Sequence, residues 1–124
     1  ENSGVTTALA SKFPDRAFVC TGGQVNLATK RLIKRLLTNH CQLYYSGDLD
    51  QSGIKIADNL LLEFPDLHLL NMDLATYKKH YQASVPPAKD KQIKEVANPG
   101  LQQLLAEIQR KQRVIFEEAI HDFL

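Results

Sequence analysis

Short apolar runs alternate along the chain with longer segments in which apolar residues recur every three or four positions. The runs AFVC at residues 17–20, QLYYS at residues 42–46 and LHLL at residues 67–70 predict three short buried strands. Helical spacing predicts a helix over residues 25–36 and a second one over residues 54–64, which a proline ends. Strand, turn and helix repeated with short connections are typical of a parallel sheet covered by helices.

The second half of the chain is predicted to be mainly helical. Residues 74–80 predict a short helix, and residues 84–98 predict an exposed connector because they contain two prolines and alternating charges. A further amphipathic helix is predicted around residues 101–108, and residues 114–124 continue as a helix or as a strand followed by a helix. The predicted apolar faces are Val25, Ala28, Leu32 and Leu36; Ile54, Ala57, Leu61 and Phe64; and Leu101, Leu104, Leu105 and Ile108.

These patterns together predict the fold class. We expect an α/β fold with a parallel sheet of about four strands and helices on both faces, in one domain that spans residues 1–124. The chain begins with Glu1 rather than methionine, so we expect the natural protein to extend upstream and this chain to be a fragment of it.

Composition and charge narrow the class of protein. The formal net charge is only +1, so the overall balance indicates no nucleic-acid or membrane partner, and any basic surface must be local. No apolar stretch approaches the length of a membrane span, so we expect no membrane partner. Cys20 and Cys41 lie in apolar stretches without a C-x-x-C spacing, which predicts buried thiols in a reducing compartment such as the cytoplasm.

The most informative polar stretch is SGDLDQSG at residues 46–53, directly after a predicted strand. Alternation along an extended segment places Asp48 and Asp50 on one side of the chain and Leu49 on the other. Two neighbouring carboxylates resist joint ionisation unless a cation lies between them, and hard oxygen ligands suit Mg²⁺ or Mn²⁺. The alternative is structural, because aspartate is also a common residue of turns and helix N-caps.

Two further features have both a functional and a structural interpretation. The loop TGGQ either contacts a phosphate through backbone N–H groups near a helix N-terminus or is an ordinary strand-to-helix turn. The helix after it has a cationic side that either contacts a DNA backbone or is simply solvated. The residues concerned are Thr21, Gly22, Gly23 and Gln24 in the loop, and Lys30, Arg31, Lys34 and Arg35 in the helix.

Three stretches of the sequence carry a resemblance to a known family. ENSGVTTAL, CTGGQVNLATKRLIKRL and YYSGDLDQSGIKIADNL resemble the Toprim domain, the catalytic module of topoisomerases, bacterial primases and the overcoming-lysogenization-defect nucleases. The likeness is strongest to the C-terminal Toprim-like domain of JetD-type proteins, the nuclease subunit of Wadjet plasmid-defence systems. The blocks VCTGGQ, YYSGDLDQSGIKIA and IFEEAIHDFL support that branch.

The resemblance implies a site and an activity. Glu1 matches the glutamate that follows the first strand of a Toprim domain, and Asp48, Asp50 and Gly53 match its D-x-D motif and the glycine after it. The implied activity is cleavage of DNA with Mg²⁺ or Mn²⁺ held by Glu1, Asp48 and Asp50, and the implied partner is a condensin-like complex. Glu118 is a further candidate for support of the metal, because carboxylates cluster at such sites.

Two other functions are compatible with the same residues. One is a DNA transesterase of the topoisomerase type, in which the metal site assists a tyrosine from another domain. The other is a module that binds metal and DNA without catalysis and contributes mainly assembly contacts. The sequence does not indicate an oligomeric state.

Overall fold

The computed structural model of the chain describes residues 3–88 and 95–121, and helices dominate its fold. The only regular sheet in these two ranges has two parallel strands, so the fold is a helix-rich α/β arrangement and a sheet of about four strands is not shown. In chain order the elements are α1 (Ser3–Lys12), α2 (Leu27–Thr38), β1 (Tyr44–Tyr45), α3 (Gln51–Glu63), β2 (His68–Leu69), α4 (Leu74–Lys79), a 3₁₀ turn (Tyr81–Ala83), α5 (Pro99–Lys111) and α6 (Glu117–His121).

The centre of the fold is the β1–α3–β2 unit. Tyr44 pairs with His68 and Tyr45 with Leu69, in the parallel register that a helical crossover between two strands produces. The predicted strands over residues 42–46 and 67–70 are confirmed, although each is shorter than its apolar run. The helix predicted after the first of them is also confirmed, since α3 ends before the proline.

One prediction for the N-terminal part of the chain is wrong, and one helix there was not predicted. Residues 17–20 form no strand in the described structure: Val19 is 60% exposed, and only Phe18 and Cys20 of this segment are half-buried. Helix α1 was not predicted, because its apolar residues do not follow a helical period, and only Val5 is buried.

The core confirms most of the predicted helix faces. All four predicted residues of α5 are buried, and so are three of the four in α3. The face predicted for α2 is only partly right, since Val25 packs against the core and Leu36 is half-buried, but Ala28 and Leu32 are exposed. Ile33 and Leu37 pack against the core instead. Helix α2 has two adjacent apolar stripes with the same spacing, so its periodicity could not decide between them.

The last predicted segment is a strand-like stretch followed by a helix. Val114 forms an isolated antiparallel bridge with Val85, and Ile115 forms another with Leu49, immediately before α6 begins. The hydroxyl of Tyr77 donates a hydrogen bond to the Arg113 carbonyl oxygen at 2.9 Å. Burial raises the pKa of Tyr77 to about 12.

The cysteines and the helix lengths bear on the predicted environment. Cys41 is exposed and Cys20 is half-buried, so the prediction of buried thiols is wrong for Cys41. Both cysteines belong to the described residues and neither forms a disulfide there. Over the two described ranges, every helix is too short or too polar to cross a bilayer.

A buried carboxylate on α3 fixes the segment that leads into α5. Asp58 is only 1% exposed, and its two oxygens accept the backbone N–H groups of Ala97 and Asn98, each at 2.9 Å. The Lys55 ammonium group donates to the Glu95 carbonyl oxygen at 2.7 Å, one turn earlier on the same helix. The carboxylate therefore accepts hydrogen bonds from backbone N–H groups that no helix or strand satisfies at this junction.

We expect Asp58→Ala to lower the free energy of unfolding by about 3 kcal/mol, because two hydrogen bonds to a buried carboxylate are lost. Urea unfolding measures this change. The matched control is Asp73→Ala, which removes an exposed helix cap that accepts the Thr76 N–H and should cost about 1 kcal/mol. Equal losses in the two variants would show that the connector does not depend on Asp58.

Candidate functional site

The D-x-D loop lies between the end of β1 and the start of α3. Leu49 is fully buried and its N–H donates to the Ile115 carbonyl oxygen at 2.8 Å, while Asp48 and Asp50 are half-buried. The predicted alternation is therefore present in the structure. The leucine anchors the loop in the core, and the aspartates belong to its more accessible side.

Asp50 is the N-cap of α3. Its backbone is extended, with φ −138° and ψ 175°, and its Oδ1 accepts the Gly53 N–H at 2.7 Å. This is the structural role that the sequence left open as an alternative. A carboxylate has two oxygens and several acceptor positions, so a cap formed through Oδ1 is compatible with a cation at the same side chain.

Asp48 makes a long-range contact with the end of the chain. Its Oδ1 accepts the backbone N–H of Glu117, the first residue of α6, at 2.7 Å. Each aspartate of the pair thus accepts a backbone N–H at the start of a helix. Such hydrogen bonds favour the ionised carboxylate and offset part of the repulsion between Asp48 and Asp50, so repulsion alone does not require a cation here.

Gly53 allows the first turn of α3 to lie directly against Asp48. A Cβ atom added to Gly53 would overlap the Asp48 carbonyl oxygen and would lie 3.0 Å from its carbonyl carbon. A side chain at this position would force the helix and the loop apart. The glycine after the D-x-D motif therefore has a steric reason that does not depend on any ligand.

The structure identifies Glu117, which the sequence analysis did not select, as the glutamate beside the D-x-D loop. Glu117 is 3% exposed, whereas the predicted Glu118 is exposed. Strand-like alternation provides a pattern that could have found it, since Ile115 is buried, Phe116 is 46% exposed and Glu117 is buried again. Ile115 faces the core in its bridge with Leu49. In a strand-like segment the residue two positions later, Glu117, lies on the same side.

Glu1 lies outside the described residues. Helix α1 packs against α6, so the N-terminal helix and the helix that contacts Asp48 are neighbours. In residues 3–88 and 95–121, no three His, Cys, Asp or Glu side chains form a group able to hold a metal. Mg²⁺ often uses only one or two protein carboxylates together with water and phosphate oxygens, so the donor set of Asp48 and Asp50 fits such an ion.

The TGGQ loop has its own structural explanation. Gly22 and Gly23 have φ values of 68° and 99°, which glycine adopts readily, and the Thr21 hydroxyl lies 3.4 Å from the Gly23 carbonyl oxygen as a hydrogen-bond donor. Gln24 is exposed. Within the part of the chain that is described, no hydrogen bond or ion pair joins this loop to the D-x-D loop.

The predicted DNA-contacting lysines lie away from the aspartates. Lys30 Nζ forms an ion pair with Glu63 Oε2 at 2.9 Å, and Glu63 is the last residue of α3. Asp50 caps the other end of this helix, whose 13 residues make an axis of roughly 20 Å. Lys30 therefore lies at the end of α3 opposite the D-x-D loop, and Lys34 is exposed one helical turn after it.

Comparison with protein families gives a match over the chain. The model of a family described as "Protein of unknown function C-terminus (DUF2399)" matches residues 1–124. No curated protein sequence matches the chain. The family match extends over the D-x-D loop and over both segments that contact it.

Proposed function

The chain belongs to the DUF2399 family of protein C-termini, and we propose that it is a Toprim-like domain that cleaves DNA phosphodiester bonds with Mg²⁺ or Mn²⁺. The main support is the position of Asp48 and Asp50, two half-buried carboxylates at the carboxyl end of β1 where α3 begins. Ligands of open α/β sheets bind at such strand ends. The resemblance of the D-x-D segment to Toprim domains supports the same assignment.

In this proposal Asp48 and Asp50 hold the divalent ion, and Glu1 completes the set as the resemblance implies. The ion would polarise the scissile phosphate and favour an attacking hydroxide. The chain's own contribution is orientation, because the Gly53 and Glu117 N–H groups fix one oxygen of each aspartate. Hydrogen bonds of this kind set the direction of metal-binding carboxylates.

The biological setting is proposed from the resemblance alone. A JetD-type protein would act on plasmid DNA in the cytoplasm, together with a condensin-like complex. In that setting the predicted roles of Thr21, Gly22, Gly23 and Gln24 would be contacts with the phosphate of a bound strand.

The second candidate is a module that binds metal and DNA without catalysis. It is favoured by the fact that both aspartates already have structural hydrogen bonds, one of them as a helix cap. The transesterase alternative stays a prediction, since its tyrosine would come from another domain.

Metal-linked stability tests whether the loop holds an ion. We expect Mn²⁺ at about one hundred times its Kd to stabilise the protein by about 3 kcal/mol, because it binds only the folded state. Asp50→Ser retains a good cap but removes the carboxylate, so it should lose most of this gain. Thermal melts with and without Mn²⁺ measure the effect.

Asp73→Ser is the matched control for this experiment. Asp73 caps α4 with nearly the same backbone angles, φ −134° and ψ 171°, and accepts the Thr76 N–H at 2.8 Å. It should leave the response to Mn²⁺ unchanged. If Asp50→Ser also keeps the full response, Asp50 is a cap and the ion binds elsewhere.

A further inference from the structure

Positive charge is concentrated in one segment of an otherwise balanced chain. Residues 17–47 contain four Lys and Arg residues and no Asp or Glu. The whole chain has 15 basic and 14 acidic residues, so 11 basic and 14 acidic residues remain outside this segment. The net charge of +1 is therefore the sum of +4 in residues 17–47 and −3 in the rest of the chain. All four cations of the region belong to α2.

Three of these cations border one concave surface. A surface pocket of about 460 Å³ is lined by Arg31, Lys34, Arg35, Thr38 and Asn39. The spacing of the cations by three and four residues places them on one side of α2. Within the described ranges none of the three cationic groups forms an ion pair, unlike Lys30, which pairs with Glu63. The pocket therefore presents cations that no carboxylate of the described residues pairs with.

The C-terminal end of a helix such as α2 normally repels an anion, because its last carbonyl groups carry partial negative charge. Here these groups already accept hydrogen bonds from the residues that line and follow the pocket. The Thr38 hydroxyl donates to the Lys34 carbonyl oxygen and the Asn39 side-chain amide to the Arg35 carbonyl oxygen, both at 2.7 Å. The Cys41 N–H donates to the Leu36 carbonyl oxygen at 3.0 Å. The positive charge of the side chains therefore outweighs the partial negative charge of the helix C-terminus at this pocket.

We infer that this pocket binds a backbone phosphate of DNA, as a second contact distinct from the D-x-D loop. Guanidinium groups suit phosphate because they donate paired hydrogen bonds, and two of the three cations are arginines. The ion pair of Lys30 with Glu63 places this part of α2 beside the far end of α3, roughly 20 Å along the helix axis from Asp50. The identification of the anion as DNA rests on the proposed function.

DNA binding in EDTA tests this inference without involving metal or cleavage. The pocket variant combines Arg31→Gln, Lys34→Gln and Arg35→Gln at three exposed helical positions, where glutamine is a good helix former. Fluorescence anisotropy with a labelled duplex should show at least a tenfold higher Kd. The slope of log Kd against log salt should become shallower by about 2 to 3, at about 0.9 per lost phosphate contact.

The control variant combines Lys78→Gln, Lys79→Gln and Lys111→Gln, which remove the same charge from exposed positions on α4 and α5. It should change the Kd by less than about threefold. Equal losses in both variants, or no binding by the wild-type protein, would overturn the inference. So would displacement of DNA by millimolar inorganic phosphate at constant ionic strength, since the pocket would then take a small phosphate ligand.

The same measurement separates this inference from the proposed function. The assay contains no metal and measures no cleavage, so its result does not depend on whether the D-x-D loop holds an ion. Loss of DNA binding in the pocket variant therefore supports the second contact even if the protein has no nuclease activity.

Discussion

Gly53→Ala should lower the free energy of unfolding by about 3 kcal/mol, and Gly53→Val should prevent stable folding. The added Cβ atom would overlap the carbonyl oxygen of Asp48, which is backbone and cannot rotate away. Either α3 or the D-x-D loop must move, and the loop is anchored by Leu49 in the core. The same movement should displace Asp48 from the Glu117 N–H.

Urea unfolding measures the change, and Gly100→Ala is the matched control. Gly100 lies in the first turn of α5, and an added Cβ atom would meet only the side-chain oxygen of Asn98, at 3.2 Å. Alanine should be within about 1 kcal/mol of wild type there, since it favours helix more than glycine does. A Gly53→Ala protein as stable as Gly100→Ala would mean that α3 does not lie against Asp48 as closely as described.

Local periodicity was enough to predict the central elements of the fold. The four apolar residues of α5 and most of those of α3 are buried as their spacing indicates, because each helix has a single apolar stripe. The strands at Tyr44–Tyr45 and His68–Leu69 were also found, since each lies between polar loops that bound an apolar run. In these segments, local preference and tertiary packing agree.

Periodicity failed where local pattern was weak or ambiguous. Residues 17–20 are apolar enough for a strand, but a strand also needs a partner, which an apolar run cannot supply. Helix α2 has two candidate stripes, and only packing selects Ile33 and Leu37. Helix α1 has no clear stripe, and its position depends on contact with α6.

In the candidate site, too, local sequence predicts some features and only tertiary packing determines the others. The alternation of Asp48, Leu49 and Asp50 and the cap of α3 follow from residues within a short window. The hydrogen bond between Asp48 and Glu117 joins positions 69 residues apart, so no local pattern could predict it. It matters for function because it shows that the aspartate pair is stabilised by backbone N–H groups as well as by any ion.

The central claim is that Asp48 and Asp50 hold a catalytic divalent ion. If they do, Asp48→Asn and Asp50→Ser should each reduce metal-dependent cleavage by at least about 100-fold, because an interaction worth about 3 kcal/mol in the transition state is lost. Both variants should remain folded, since asparagine and serine keep an oxygen that can accept the same backbone N–H. Asp73→Ser provides the control for loss of an aspartate cap elsewhere.

The most direct measurement is nicking of supercoiled plasmid by the protein, with and without the condensin-like complex proposed as its partner. We expect cleavage by wild type and Asp73→Ser in Mg²⁺ or Mn²⁺, none in EDTA, and at least a hundredfold slower cleavage by Asp48→Asn and Asp50→Ser. Wild-type rates in both of these variants would contradict the account and leave the two aspartates as structural hydrogen-bond acceptors.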